Sequence, residues 1–176
     1  MLNIVLFEPE IPQNTGNIMR TCVGLNATLH LIEPMGFKID EAKLKRSAVD
    51  YYEYINYTVY QNWEDFVNKN QGCYFFLTRY AQQTYSSIDY TKINKPVYLI
   101  FGSESRGIKK EILLNNLENT YRIPMSEHLR TLNLSNTVAI CGYEYARQFE
   151  FKTLLTKEPY VFSDDNYLER LKEIIK

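Results

Sequence analysis

Two uninterrupted apolar runs, Cys73–Thr78 (CYFFLT) and Val97–Phe101 (VYLIF), constrain this chain more than any other feature. A strand with one wet face alternates apolar and polar residues. A run without alternation suits a strand covered on both faces, and such strands belong to parallel sheets with helices packed on either side. Asn3–Phe7 reads as a further buried strand, Thr28–Ile32 and Thr120–Ile123 as strands, and the tyrosine-rich stretch Tyr51–Tyr60 as a strand with a wet side. Helical periods lie between them. Ile18, Cys22 and Leu25 follow the i, i+4, i+7 rule behind an Asn14-Thr15 cap. Glu41–Ser47 reads as a short polar helix and Trp63–Lys69 as a helix capped by Asn62. Lys109–Leu117 and Thr137–Phe149 read as later helices, the last with Val138, Cys141, Tyr145 and Phe149 in line. Arg79–Asn94 shows no period and reads as a long loop. Alternating strands and helices predict an α/β fold with a mostly parallel sheet and helices on both faces.

A length of 176 residues fits one domain. No apolar run approaches the roughly 18 residues of a membrane helix. The start, MLNIVLFEPEIPQN, is apolar too briefly and lacks a basic leader, so it reads as a first strand, not a signal peptide. Cys22, Cys73 and Cys141 are widely spaced without a CxxC pair, and His30 and His128 stand apart. That pattern argues against structural zinc and suits small core residues in a reducing cytoplasm. A net charge of −1 lacks the basic excess usual in dedicated nucleic-acid binders. It leaves room for local patches at Lys43, Lys45 and Arg46, or at Arg106, Lys109 and Lys110.

Three polar loops follow strands: Glu8–Gly16, Gly102–Gly107 and Pro124–Asn136. Ligands in open α/β sheets sit beyond the carboxyl ends of strands, so these loops are expected to converge. Two prolines keep Glu8–Gln13 out of regular structure. Gly16 and Gly102 leave space for a close approach. Ser135 or Asn136 can cap the helix that begins after the third loop. Arg20 lies off its helix's apolar stripe, as either a surface residue or a phosphate or ribose contact. The second loop is not a Walker A motif, because Ile108 stands where lysine is required. GxSxG, GxGxxG after the first strand, and HExxH are all missing from the sequence.

Three segments together resemble the SPOUT superfamily of methyltransferases, and within it the TrmL-type tRNA 2′-O-ribose methyltransferases. They are Asn14–Arg20 behind Glu8–Pro12, Leu99–Gly107, and Ile123–Met125 through Arg130–Asn136, with Leu31–Phe37 adding a fourth likeness. The match covers residues 2–150 in order. The resemblance implies a C-terminal trefoil knot, which general topology rules would not suggest. It implies a homodimer with its sites near the subunit interface, and S-adenosyl-L-methionine as cofactor. Carried over by position, the cofactor contacts are Leu77, Gly102, Ile123, Thr131 and Leu132. Arg20 is the residue that engages the ribose hydroxyl or a neighbouring phosphate, with Asn14, Glu104, Ser135 and Asn136 orienting the participants. Thr131 stands where the family usually has serine, and Arg79-Tyr80 where it often carries a lysine. The implied substrate is tRNA, at the wobble nucleotide (C/U34) of leucine tRNAs. Another tRNA or rRNA site, or a non-catalytic RNA-binding protein of the same fold, are the alternatives. The methyltransferase domain is expected at residues 1–152. Residues 153–176 form an extension whose helix, capped by Ser163-Asp164-Asp165 and carrying Leu168, Leu171 and Ile175, packs on the domain or on a partner chain.

Overall fold

The computed structural model describes residues 2–48, 50–157, 171, 172 and 174. The helix expected from Ser163 lies largely outside the described residues. The strands are β1 (Leu2–Phe7), β2 (Thr28–Ile32), β3 (Tyr57–Tyr60), β4 (Cys73–Leu77), β5 (Gln83–Thr84), β6 (Val97–Phe101) and β7 (Thr120–Arg122). They form one sheet in the order β3-β2-β1-β6-β4-β7-β5, and every pairing is parallel. The helices are α1 (Pro12–Gly24), α2 (Glu41–Ser47), α3 (Trp63–Lys69), α4 (Lys110–Leu114) and α5 (Leu134–Gln148).

Both sheet faces are buried, which is why the strands read as continuous apolar runs. Side chains alternate across a strand, so Ile4, Leu6, Leu99 and Phe101 meet Ile18 and Cys22 of α1 and Val138 and Cys141 of α5. Val5, Phe7, Phe76 and Ile100 point the other way, toward Phe66 of α3 and Ile112 of α4. Each fully buried side chain of this size contributes about 1.5–3 kcal/mol, so the two layers hold the sheet from either side.

The second layer contains a buried polar chain. His30 Nε2 lies 3.1 Å from Asn3 Oδ1, and Nδ1 lies 2.9 Å from the Tyr60 hydroxyl. Asn3 Nδ2 donates to the Val97 carbonyl, which fixes Oδ1 as the acceptor facing His30. Nε2 therefore carries the proton and Nδ1 accepts from Tyr60. Burial pushes the His30 pKa down to about 4.

Several expected boundaries move. α1 begins at Pro12, because proline is tolerated at the first helical position. Asn14 and Thr15 therefore lie inside the helix and do not cap it. α4 ends at Leu114, and a separate 3-10 turn covers Leu117–Asn119. Only Tyr57–Tyr60 of the tyrosine-rich stretch is strand, after a 3-10 turn at Tyr52–Tyr54. The expected loop Arg79–Asn94 contains edge strand β5 and 3-10 turns at Tyr85–Ser87 and Tyr90–Lys92, pinned by buried Ile88 and Tyr90. Asn62 caps α3 as expected, accepting from Asp65 N at 2.8 Å.

Candidate functional site

The strand order turns between β1 and β6: β2 and β3 extend the sheet one way, β4, β7 and β5 the other. Such switch points open crevices at the carboxyl ends of the strands. β1 and β6 run in register as far as Leu6 against Phe101, so the loops after them leave the sheet side by side. Glu104 Oε2 accepts from Glu10 N at 2.9 Å, and Oε1 accepts from Ile11 N at 3.3 Å and from Asn14 Nδ2 at 2.8 Å. The carboxylate thus sits at the start of α1, where free backbone N–H groups favour negative charge. In return, Glu10 accepts from Ser105 N at 3.1 Å and from Ser105 Oγ at 2.6 Å. The Ser105 hydroxyl bond, more than any other contact, holds the Glu10 carboxyl below its ordinary range.

The third loop joins through Asn133, whose Nδ2 donates to Asn14 Oδ1 at 2.9 Å. Asn133 Oδ1 accepts from Ser135 N at 2.8 Å and Ser135 Oγ at 2.7 Å. Asn133 is therefore the cap of α5, ahead of the expected Ser135 or Asn136, and the helix starts at Leu134. All three loops meet, as their placement after strands predicts. Asn14 is the hub, with both ends of its side-chain amide engaged.

Gly102 serves the second loop itself. A Cβ there would lie 2.1 Å from the Gly107 carbonyl carbon and 2.4 Å from Ile108 N. The loop folds back through paired Ser103 and Gly107 backbone bonds, and Gly107 takes a φ of 72° that glycine adopts without strain. At Gly16, by contrast, an added Cβ meets nothing of this chain within 4 Å.

Beyond these loops lies a cavity of about 470 Å³ at the ends of β4, β6 and β7. Leu77, Gly102, Ile123, Thr131 and Leu132 all line it, as do Asn14 and Glu104. Ser135 and Asn136 do not line it, although Ser135 is bonded to the wall residue Asn133. Arg20 also lies outside the wall, exposed on α1, with its guanidinium carbon 5.5 Å from the centre of the Tyr51 ring. Arg79 and Tyr80, noted from sequence only as a departure from the family pattern, also line the wall, as do Arg130 and Asn133 of the third segment and Arg122, which the sequence did not single out. Asn133 was legible in principle, as an Asn ahead of a helical period. The arginines carry no such signal, because only the fold brings the ends of β4, β6 and β7 together. Arg79, Arg106, Arg122 and Arg130 face one cavity, and among the described residues none of them is ion-paired. The buried Nε of Arg122 has no hydrogen-bond partner among those residues. The cavity is thus an anion-seeking site in a chain of net charge −1. Among the described residues no cluster of His, Cys, Asp or Glu could hold a metal ion, and no helix is long and apolar enough to cross a membrane.

The model of the SpoU rRNA Methylase family matches residues 1–143. A Bacillus subtilis relative, provisionally named a tRNA (cytidine(34)-2′-O)-methyltransferase, is 46% identical over 154 residues, 87% of this chain and 96% of its own. A Bacillus anthracis protein provisionally described as an RNA methyltransferase has a structure that superposes with a TM-score of 0.83 at 42% identity, covering 88% of this chain and 98% of its own. A structure solved for 2-OH methylation of C/U34 on tRNA superposes with a TM-score of 0.77 at 34% identity, covering 86% of this chain and 98% of its own.

Proposed function

Because the chain belongs to the SpoU methylase family, we propose that it transfers a methyl group from S-adenosylmethionine to the ribose 2′-hydroxyl of nucleotide 34, cytidine or uridine, of a tRNA. The observation that carries this reading is the arginine-lined cavity at the ends of β4, β6 and β7, beside three loops joined through Asn14.

The wall fits the cofactor. Leu77, Ile123 and Leu132 offer apolar surface to an adenine ring, and Thr131 keeps a hydroxyl. The loop segments Gly102–Gly107 and Arg130–Asn133 lie outside the named strands, so their backbone can offer N–H and C=O groups to polar edges of a ligand. When bound, S-adenosylmethionine supplies an electrophilic methyl on a sulfonium. The chain must place a ribose hydroxyl about 3–3.5 Å from that carbon and in line. Glu104 spends both oxygens on Glu10, Ile11 and Asn14, so its role is to hold α1 against the second loop rather than to take the proton. Asn14 and Ser135 extend that hold to α5 through Asn133, and Asn136 adds a polar group in its first turn.

Arg20 engages the hydroxyl or an adjoining phosphate by positioning and charge, its planar guanidinium offering a fork of donors that matches a phosphate. It reaches a cavity through a homodimer in which α1 and α5 pack on a second copy. Exposed Ile11 at the start of α1, and Ile140 and Tyr143 on α5, support that reading. The trefoil knot, the cytoplasmic setting, leucine tRNAs as the substrate set, and a methyltransferase domain at residues 1–152 with an extension packed on it or on the partner complete the proposal. The family description names rRNA, so ribosomal RNA is the competing substrate. The test is methyl transfer from labelled S-adenosylmethionine to purified tRNA and rRNA, with the modified nucleotide mapped by mass spectrometry. Label at nucleotide 34 of tRNA is the expected result; label confined to rRNA would overturn the tRNA assignment.

A further inference from the structure

Building on the tRNA reading, we propose that Tyr80, held by Arg79, is a stacking platform for the unpaired base next to the methylated nucleotide. Tyr80 lines the rim of the cavity and is 70% exposed. The Arg79 guanidinium carbon lies 4.7 Å from the centre of its ring, and the same guanidinium donates to its hydroxyl. With one face of the ring against a cation and most of the residue exposed, the other face is open. The turn beneath it is anchored: Ala81 is buried and its N–H donates to the Thr78 carbonyl, while Tyr80 N donates to Thr78 Oγ1. The ring is therefore held ready at the edge of the cavity.

Charge decides what lands there. Arg79, Arg106, Arg122 and Arg130 line the same cavity and none of them is ion-paired among the described residues, which suits a phosphate backbone. An unpaired nucleotide joins a phosphate to an aromatic face, and such bases stack on tyrosine rings and arginine planes. A paired base is already stacked in its helix and cannot use the platform. The pair Arg79-Tyr80 thus selects a loop nucleotide over a duplex one, and it stands where the family pattern often carries a lysine.

The test titrates the full chain, with S-adenosylhomocysteine present, into a synthetic anticodon stem-loop. 2-Aminopurine replaces the base on the 5′ or the 3′ side of nucleotide 34. Stacking is expected to quench the probe at one of the two positions. Tyr80→Leu should abolish the quench and raise Kd about 10- to 100-fold, while Tyr80→Trp restores both. Unchanged melting temperature and far-ultraviolet circular dichroism confirm that Tyr80→Leu is folded. Wild-type Kd and quench in Tyr80→Leu, or no quench at either position with the wild-type chain, would overturn the platform. If Tyr80-dependent quenching occurs but no methyl is transferred, the methyltransferase reading fails and the platform stands. If nucleotide 34 is methylated and Tyr80→Leu binds like wild type, the platform alone fails.

Discussion

Asn14 Nδ2 donates to Glu104 Oε1 at 2.8 Å, across 90 residues of sequence. That bond ties the start of α1 to the loop after β6. Asn133 reaches the other end of the same amide. Replacing Glu104 by glutamine sets an NH₂ group against backbone or side-chain donors and removes a negative charge from the start of α1. A buried donor left unpaired costs about 1–3 kcal/mol. Glu104→Gln should lower the melting temperature and weaken S-adenosylhomocysteine binding together, measured by calorimetry. Asn14→Ala should add less on top of it than alone, since both remove the same bond.

Gly102→Ala tests the second loop directly. Its Cβ would meet the Gly107 backbone at 2.1 Å, and backbone cannot swing aside as a flexible side chain does. A cost of about 1–3 kcal/mol is expected, with at least a tenfold loss of S-adenosylhomocysteine affinity. Gly16→Ala, inside α1 where an added Cβ meets nothing of this chain, should stabilise the single subunit by up to about 1 kcal/mol; chemical unfolding of both variants makes the comparison.

Arg20 separates binding from transfer. It lies outside the cavity wall, so Arg20→Ala should keep S-adenosylhomocysteine affinity. Methyl transfer to tRNA under single-turnover conditions should fall about 10²- to 10³-fold, as when one charge-stabilising donor is lost. Its contact with the Tyr51 ring is worth only about 0.5–1 kcal/mol at an exposed site, so the fold should survive. Normal transfer would remove Arg20 from the mechanism.

Acid should weaken the fold through His30. The buried ring has a pKa of about 4 against an ordinary 6.5. Between these values the unfolded chain binds a proton that the native chain does not, so stability rises with pH through that window. The full contribution holds above pH 6.5, and about 3 kcal/mol is lost by the time pH reaches 4. Urea unfolding at several pH values should show that slope, and His30→Gln should flatten it.

Cys22 and Cys141 are buried, and burial pushes both thiols up to about 12. Thiolate is the reactive form. A thiol reagent at mild alkaline pH should label half-buried Cys73 first and reach the other two only on unfolding.

The sheet was legible because both of its faces are covered: Val97–Phe101 and Cys73–Leu77 carry the signal in five residues each. The meeting of the three loops was legible because each follows a strand. The cap fell on Asn133 although Ser135 and Asn136 carry equally good capping groups, because its Oδ1 accepts from Ser135 N while its Nδ2 is held by Asn14. β5 was missed because a two-residue edge strand has no period to read. Arg122 was missed, and Arg79 and Arg106 were named without a shared role, because their common ground is spatial: Arg79 follows β4, Arg106 follows β6, and Arg122 ends β7. Arg20 read as a site residue by family likeness, yet the single chain leaves it outside the wall.

The bonds that close the cavity join residues 94, 90 and 119 positions apart. No short piece of the chain holds the cavity on its own. During synthesis the ribosome must release Asn133 before the last clasp can form, so the nascent chain gains its ligand site only when most of its length has emerged. A ligand bound there reports that the central strands β1, β6, β4 and β7 have been assembled with their loops, and truncation upstream of Asn133 removes the site even where β1, β4 and β6 are intact.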